Sequence, residues 1–192
     1  LPSSVSYQAY ALRTSERGSD LQAAQALLAQ MMSGNELWER IRGQGGAYGV
    51  NTTVDVMEEL FLFSTYRDPR IVASFDDFKE VLASYAAGKV DTKALESALI
   101  AMVGSELRPL SPSQQSLLSF RRLLYHISDE YREKRREQLL AIDSEAIRSA
   151  ASALIEGAAT VESRVVITGS QLLEKERAKD PALEREAIRL PL

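Results

Sequence analysis

The hydrophobic period of the chain changes abruptly at LWERIRGQGGAYGV, Leu37 to Val50. Before it, apolar residues recur at helical spacing: Leu21, Ala24, Leu28 and Met31, then Leu37 and Ile41. After it, Val50, Thr52, Val54 and Val56 alternate with Asn51, Thr53 and Asp55, as in a half-buried strand. A chain that is helix on one side of Gly43, Gly45 and Gly46 and strand on the other is neither all-α nor all-β. Its layers must be mixed.

The remaining pattern supplies the other elements. Val5 to Leu12 reads as a strand, with Val5, Tyr7 and Ala9 alternating against Ser6 and Gln8. Ser19 caps a helix that Ser33-Gly34-Asn35 breaks, and a short second helix covers Glu36 to Arg42. Leu60-Phe61-Leu62-Phe63 is a continuous apolar run, which predicts a strand buried on both faces and a hairpin turning near Val56 to Glu58. Asp68-Pro69 closes that pair. Ser74 and Asp77 resemble a capping box, followed by Phe75, Phe78, Leu82 and Tyr85 on one helical face and by Gly88 as a stop. Asp91 caps the next helix, with Leu95, Leu99 and Met102 inward and Pro109 beyond its end. Ser111-Pro112 starts a long helix that runs to about Ile142. Asp143 or Ser144 caps another, to about Glu156. Val161 to Thr168 is a strand, Gly169-Ser170 opens a last short helix, and the tail 181–192 reads as polar and loose. The expected order is β-α-α-β-β-α-α-α-α-β-α: an α+β fold of two layers, one domain over residues 1–180, with helices clustered on one side of one sheet.

Composition removes several functions. The net charge is −4 and the pI about 5.2, against the basic face a nucleic-acid partner wants. There is no cysteine, hence no disulfide and no thiolate metal site. No apolar run approaches the roughly 20 residues that span a bilayer, so no membrane partner is expected. A helical zinc hydrolase needs two histidines a turn apart and a carboxylate base. Here YHISDE offers His126, Asp129 and Glu130, and His126 is the single histidine; a metal centre is not expected. No G-x-S-x-G elbow is present. GQGGAYG follows a helix and opens a strand, the wrong context for a dinucleotide. The charge run DEYREKRRE has both signs at i, i+3 and i, i+4, as a solvated helix face does, or a surface that meets another domain.

The glycine stretch admits two readings. In one, a glycine at position 43, 45 or 46 takes positive φ at a helix end, Arg42 sits at the negative end of that helix, and Tyr48 is a strand aromatic. In the other, the bend lets a peptide backbone come close, and Arg42 and the Tyr48 hydroxyl donate to its carbonyls.

LWERIRGQGGAYGV followed by FLFSTYRDP resembles the C-terminal half of the presequence protease branch of the insulinase-family zinc metallopeptidases, relatives of insulin-degrading enzyme and pitrilysin. The shared pattern is Arg42, Gly45, Gly46, Ala47, Tyr48 and Gly49, then Tyr66, Arg67, Asp68 and Pro69. SPSQQSLLSFRR and EYREKRREQLLAID look like the same family's closing helices. The resemblance implies the family's two-layer α+β domain, a mostly antiparallel sheet with helices packed on one face. It implies a chamber of two facing halves, of which the N-terminal one carries H-x-x-E-H and zinc. This sequence lacks H-x-x-E-H, and with its start at Leu1 it reads as a C-terminal fragment, one of about four similar domains, inactive alone. By the same resemblance Arg42 would hold a substrate carbonyl, Tyr48 would donate to the developing oxyanion, and Gly45, Gly46 and Ala47 would let the peptide pass. Arg67 and Asp68 would be structural. The implied partners are the zinc-bearing half and short unstructured peptides, in a bacterial cytoplasm or an organelle matrix. Self-association of the isolated chain is expected from its uncovered inter-domain surface. The alternative is a scaffold or assembly module of the same fold, like the inactive subunits of processing peptidase and respiratory complexes.

Overall fold

The computed structural model describes residues 4–159, 162–180 and 183. Val161 and the tail 181–192, save residue 183, lie outside the described residues. The elements are β1 (Ser6–Arg13), α1 (Asp20–Gly34), a π-helix (Trp38–Gln44), β2 (Gly49–Asp55), β3 (Leu60–Asp68), α2 (Val72–Ala86), α3 (Thr92–Leu107), α4 (Pro112–Leu124), α5 (Asp129–Leu140), α6 (Ser144–Ala158), β4 (Glu162–Thr168) and α7 (Ser170–Arg177). The strands form one antiparallel sheet in the order β2-β3-β1-β4. The expected α+β architecture is present, and α1, α2 and α6 carry the core against one face of that sheet.

Many boundaries follow local chemistry. The Ser19 hydroxyl accepts from the Gln22 amide at 3.1 Å and caps α1. Asp91 caps α3 and Asp143 caps α6 in the same way. At α4 the capping box is complete, with Ser111 and Gln114 bonding reciprocally and proline next. Gly88, at φ +83°, ends α2. Inside, Tyr10, Phe61, Phe63, Phe75 and Phe78 form a contiguous aromatic cluster with centroid separations of 4.8 to 6.2 Å. Such pairs add about 0.5–1.5 kcal/mol each beyond their burial.

Four expectations are corrected. β1 alternates, but its buried phase is Ser6, Gln8, Tyr10 and Leu12, not the phase of Val5, Tyr7 and Ala9. The polar pair is tolerated inside because Ser6 Oγ donates to the carbonyls of Asp68 and Arg70, and Gln8 Nε2 to that of Arg70. β3 is buried on one face only: Phe61 and Phe63 are inside, while Leu60 and Leu62 are half-exposed, since the helices cover one side of the sheet. Ser74 and Asp77 do not cap a helix. The Ser74 hydroxyl donates to Asp68 at 2.6 Å inside α2, which begins two residues earlier. Its first amides, of Ile71 and Val72, donate instead to Glu176 of α7, a cap 104 residues away that no local pattern could reveal. The long helix from Ser111 is two helices. The chain breaks at Tyr125 to Ser128, where His126 is left-handed at φ +53° and Ser128 caps α5.

Candidate functional site

The glycine stretch stands at the end of the sheet, between the π-helix and β2. The short helix expected at Glu36 to Arg42 is a π-helix over Trp38–Gln44. That winding is rare and is frequently found at functional sites. Its exit is closed by the Gly46 amide on the Arg42 carbonyl (3.3 Å) and the Ala47 amide on the Ile41 carbonyl (3.0 Å). Gly46 takes φ +80°, so the bend does need a glycine there. Gly45 is glycine for another reason: a Cβ would strike the Arg70 guanidinium and would lie 2.6 Å from the Ile41 carbonyl oxygen.

Arg70 is therefore the brace under the bend, a residue the sequence reading missed. Its Nη2 lies 3.1 Å from Asp77 Oδ2 and 3.4 Å from the Arg40 carbonyl, and its Nε lies 3.8 Å from Asp68. Asp68 is fully buried. Burial pushes its carboxyl above the usual carboxylate range, against the hydrogen bonds from Ser74 and the Arg70 amide. The structural role assigned to Asp68 thus has a mechanism. Arg67 beside it is exposed and left-handed, φ +51°, at the bulge where β3 pairs with Ser6 and Gln8.

The two arginines before the glycines part company. Arg40 is engaged by α2, at 2.6 Å from Glu80 and 3.5 Å from Asp77. Arg42 has no carboxylate and no hydrogen-bond acceptor for its guanidinium among the described residues. It lies over the face of Trp38 with its carbon 5.3 Å from the ring centroid. Tyr48 is 67% exposed, its hydroxyl has no partner among the described residues, and its amide donates to Tyr66 at 3.1 Å. Tyr48 packs edge-on against Tyr66 (5.8 Å), which packs on Tyr7 (5.2 Å). Ile167 pairs with Tyr7 in register and is also exposed. An aromatic and aliphatic strip thus crosses the uncovered sheet face, starting at Tyr48. The period-two alternation of β4 carried a signal for it, but nothing local said which face the helices leave open.

Gly45, Gly46 and Ala47 join the two donors. Ala47 is buried, Gly45 faces Arg70, and Gly46 is the solvent-facing point of the bend. Arg42 and Tyr48 each rest on a separate aromatic, Trp38 and Tyr66. No group of three or more His, Asp or Glu among the described residues could hold a metal ion. His126 is exposed in the α4–α5 turn with no second nitrogen ligand in the chain, so this donor set does not fit zinc. Among the described residues no helix is long and apolar enough to cross a membrane.

Comparison with known proteins adds context. Residues 1–171 match the family described as PreP C-terminal domain. The mitochondrial presequence protease of Gibberella zeae is 30% identical over 172 residues, covering 89% of this chain and 17% of that protein. Solved structures share the fold. A protease from Helicobacter pylori superposes with a TM-score of 0.72 at 15% identity, covering 86% of this chain and 41% of that one. A peptidase M16 inactive domain from Pseudomonas fluorescens does so at 0.67 and 20%, over 86% and 41%. The chain spans less than a fifth of the length of the curated relatives it matches.

Proposed function

The chain belongs to the PreP C-terminal domain family, and on that premise we propose that it is the substrate-facing, non-catalytic domain of a zinc-dependent peptidase that degrades short unstructured peptides. One observation carries this reading. Two exposed donors, the Arg42 guanidinium and the Tyr48 hydroxyl, flank a glycine bend braced from beneath by Arg70, and neither has an acceptor among the described residues.

The chemistry follows from those groups. A peptide laid along the bend presents main-chain carbonyls as acceptors. Arg42 binds one of them and fixes the register. Tyr48 donates to the carbonyl under attack and holds more tightly as negative charge collects on that oxygen, which lowers the barrier rather than merely binding the ground state. The strip of Tyr48, Tyr66 and Tyr7 offers apolar contact to the side chains that follow. The metal and the base that activates water belong to a second half of the parent protein, which this chain's donor set cannot replace. A scaffold module would have no use for two donors held apart from every acceptor among the described residues.

Incubating this chain with a short unstructured peptide, with and without added zinc, tests the division of labour. Mass spectrometry is expected to show the peptide intact in both cases. Zinc-dependent fragments, with contaminating protease excluded, would refute it.

A further inference from the structure

A second region carries chemistry that the proposed peptide site does not use. α3, α4 and α5 enclose a half-open cavity of about 550 Å³. Arg108, Arg121, Arg122, Arg132 and Arg135 line it, with Glu106 as its acid. Arg132 is paired, to Asp129 at 2.8 Å. The other four arginines have no carboxylate within ion-pair distance among the described residues.

Two donors are buried there without a partner: Arg135 Nη1 and the Tyr131 hydroxyl. A buried donor left unpaired costs about 1–3 kcal/mol, more when charged, so a cavity holding both is incomplete by itself. Arg17, over the Tyr131 ring at 5.3 Å, adds a further cation behind it. The wall made by α4 has no buried residue at all. Leu117, Phe120 and Leu124, spaced i, i+3, i+7 on that helix, are 52%, 60% and 55% exposed. Arginine and tyrosine beside an uncovered apolar stripe is the composition of a protein interface core, not of a solvated face. A free inorganic anion would satisfy the arginines and leave the stripe bare.

We propose that this cavity docks an acidic protein segment, contributed by the remainder of the longer polypeptide, whose carboxylates meet Arg122 and Arg135 and whose apolar side chains cover Leu117, Phe120 and Leu124. The in-chain source rests on the reading of the chain as one domain of a larger peptidase; the recognition chemistry does not. Charge complementarity selects the occupant, since the cavity is strongly positive in a chain whose net charge is −4.

The test uses this chain and a fluorescein-labelled peptide of alternating Leu and Glu, read by anisotropy. Saturable binding is expected, weakened about tenfold or more in R122Q/R135Q and by added salt. A Leu-Lys peptide of equal length is expected not to bind. Arg121→Gln with Arg122→Gln, both outside the core, replaces the first pair if the far-UV spectrum shows that R122Q/R135Q has not folded. Equal binding of the lysine peptide, or no effect of the arginine variants, would overturn the proposal. Hydrogen exchange at residues 117–124 supplies the second arm. It is expected to be slower in the longer polypeptide than in this chain, and equal exchange would overturn the in-chain source. Neither arm involves Arg42 or Tyr48, so failure here leaves the peptide site standing.

Discussion

The Arg70 guanidinium occupies the space where a side chain at Gly45 would begin. The bend between Arg42 and Tyr48 is thus held by a residue from the β3–α2 connection, anchored in turn by Asp68 and Asp77. Gly45→Ala must move either the guanidinium or the Ile41 carbonyl. Overpacking of this kind costs about 1–3 kcal/mol, and urea unfolding reads it directly. The double variant with Arg70→Ala is expected to recover only part of the loss, because the Ile41 carbonyl contact remains. An unchanged midpoint for Gly45→Ala would show that the brace is slack.

Asp68 gives the fold a specific pH signature. Its carboxyl is raised by burial, so in the window between its unfolded value, near 3.9, and its higher folded value, the native state binds the proton more readily. Stability from this group therefore increases as pH falls through that window and is lost as pH rises out of it. The stability difference between wild type and Asp68→Asn, measured by denaturant titration, is expected to grow in favour of wild type as pH is lowered there. A flat difference, or one of opposite slope, would contradict the buried placement.

Glu176 behaves in the opposite sense. Burial pushes its carboxyl up, but Lys179 and the amides of Val72 and Ile71 outweigh that and hold it below the usual glutamate range. Its contribution is present above the unfolded value and lost as pH falls through the lower folded one. Glu176→Ala leaves two helix amides without an acceptor and is expected to destabilise the chain by about 1–3 kcal/mol at neutral pH. Glu176→Gln, which keeps an acceptor oxygen, should cost less, and equal costs would show that the cap is not what Glu176 supplies.

Trp38 is the single tryptophan of the chain, and the Arg42 guanidinium lies over its ring. If Arg42 leaves that ring to hold a peptide carbonyl, tryptophan emission must change when an unstructured peptide is added. The change is expected to saturate in wild type and to vanish in Arg42→Ala. A response that persists in Arg42→Ala would place the peptide elsewhere.

Much of this was legible in the sequence because it is local. The change of period at Gly43 to Gly49, the caps at Ser19, Asp91, Ser111 and Asp143, and the aromatic face of α2 all depend on residues within a few positions of one another. What could not be read is non-local. Glu176 caps α2 from 104 residues away, and Arg70 explains Gly45 only in three dimensions. The buried phase of β1 was hidden because Ser6 and Gln8, polar by type, satisfy backbone carbonyls at the end of β3 and in its connection to α2. Within the site, Arg42 and Tyr48 were indicated by resemblance, but their separate aromatic rests on Trp38 and Tyr66 were not. The distinction from Arg40, which α2 neutralises, also needed the fold.

The most direct test of the central claim is the rate of peptide hydrolysis by the longer peptidase proposed above, carrying Tyr48→Phe. The hydroxyl has no partner among the described residues, so the substitution removes only what it offers a substrate. The account predicts unchanged stability, a modest change in KM and a fall in kcat on the order of 10²–10³, the loss typical of one oxyanion donor. An unchanged kcat would contradict it and leave Tyr48 as surface of the sheet.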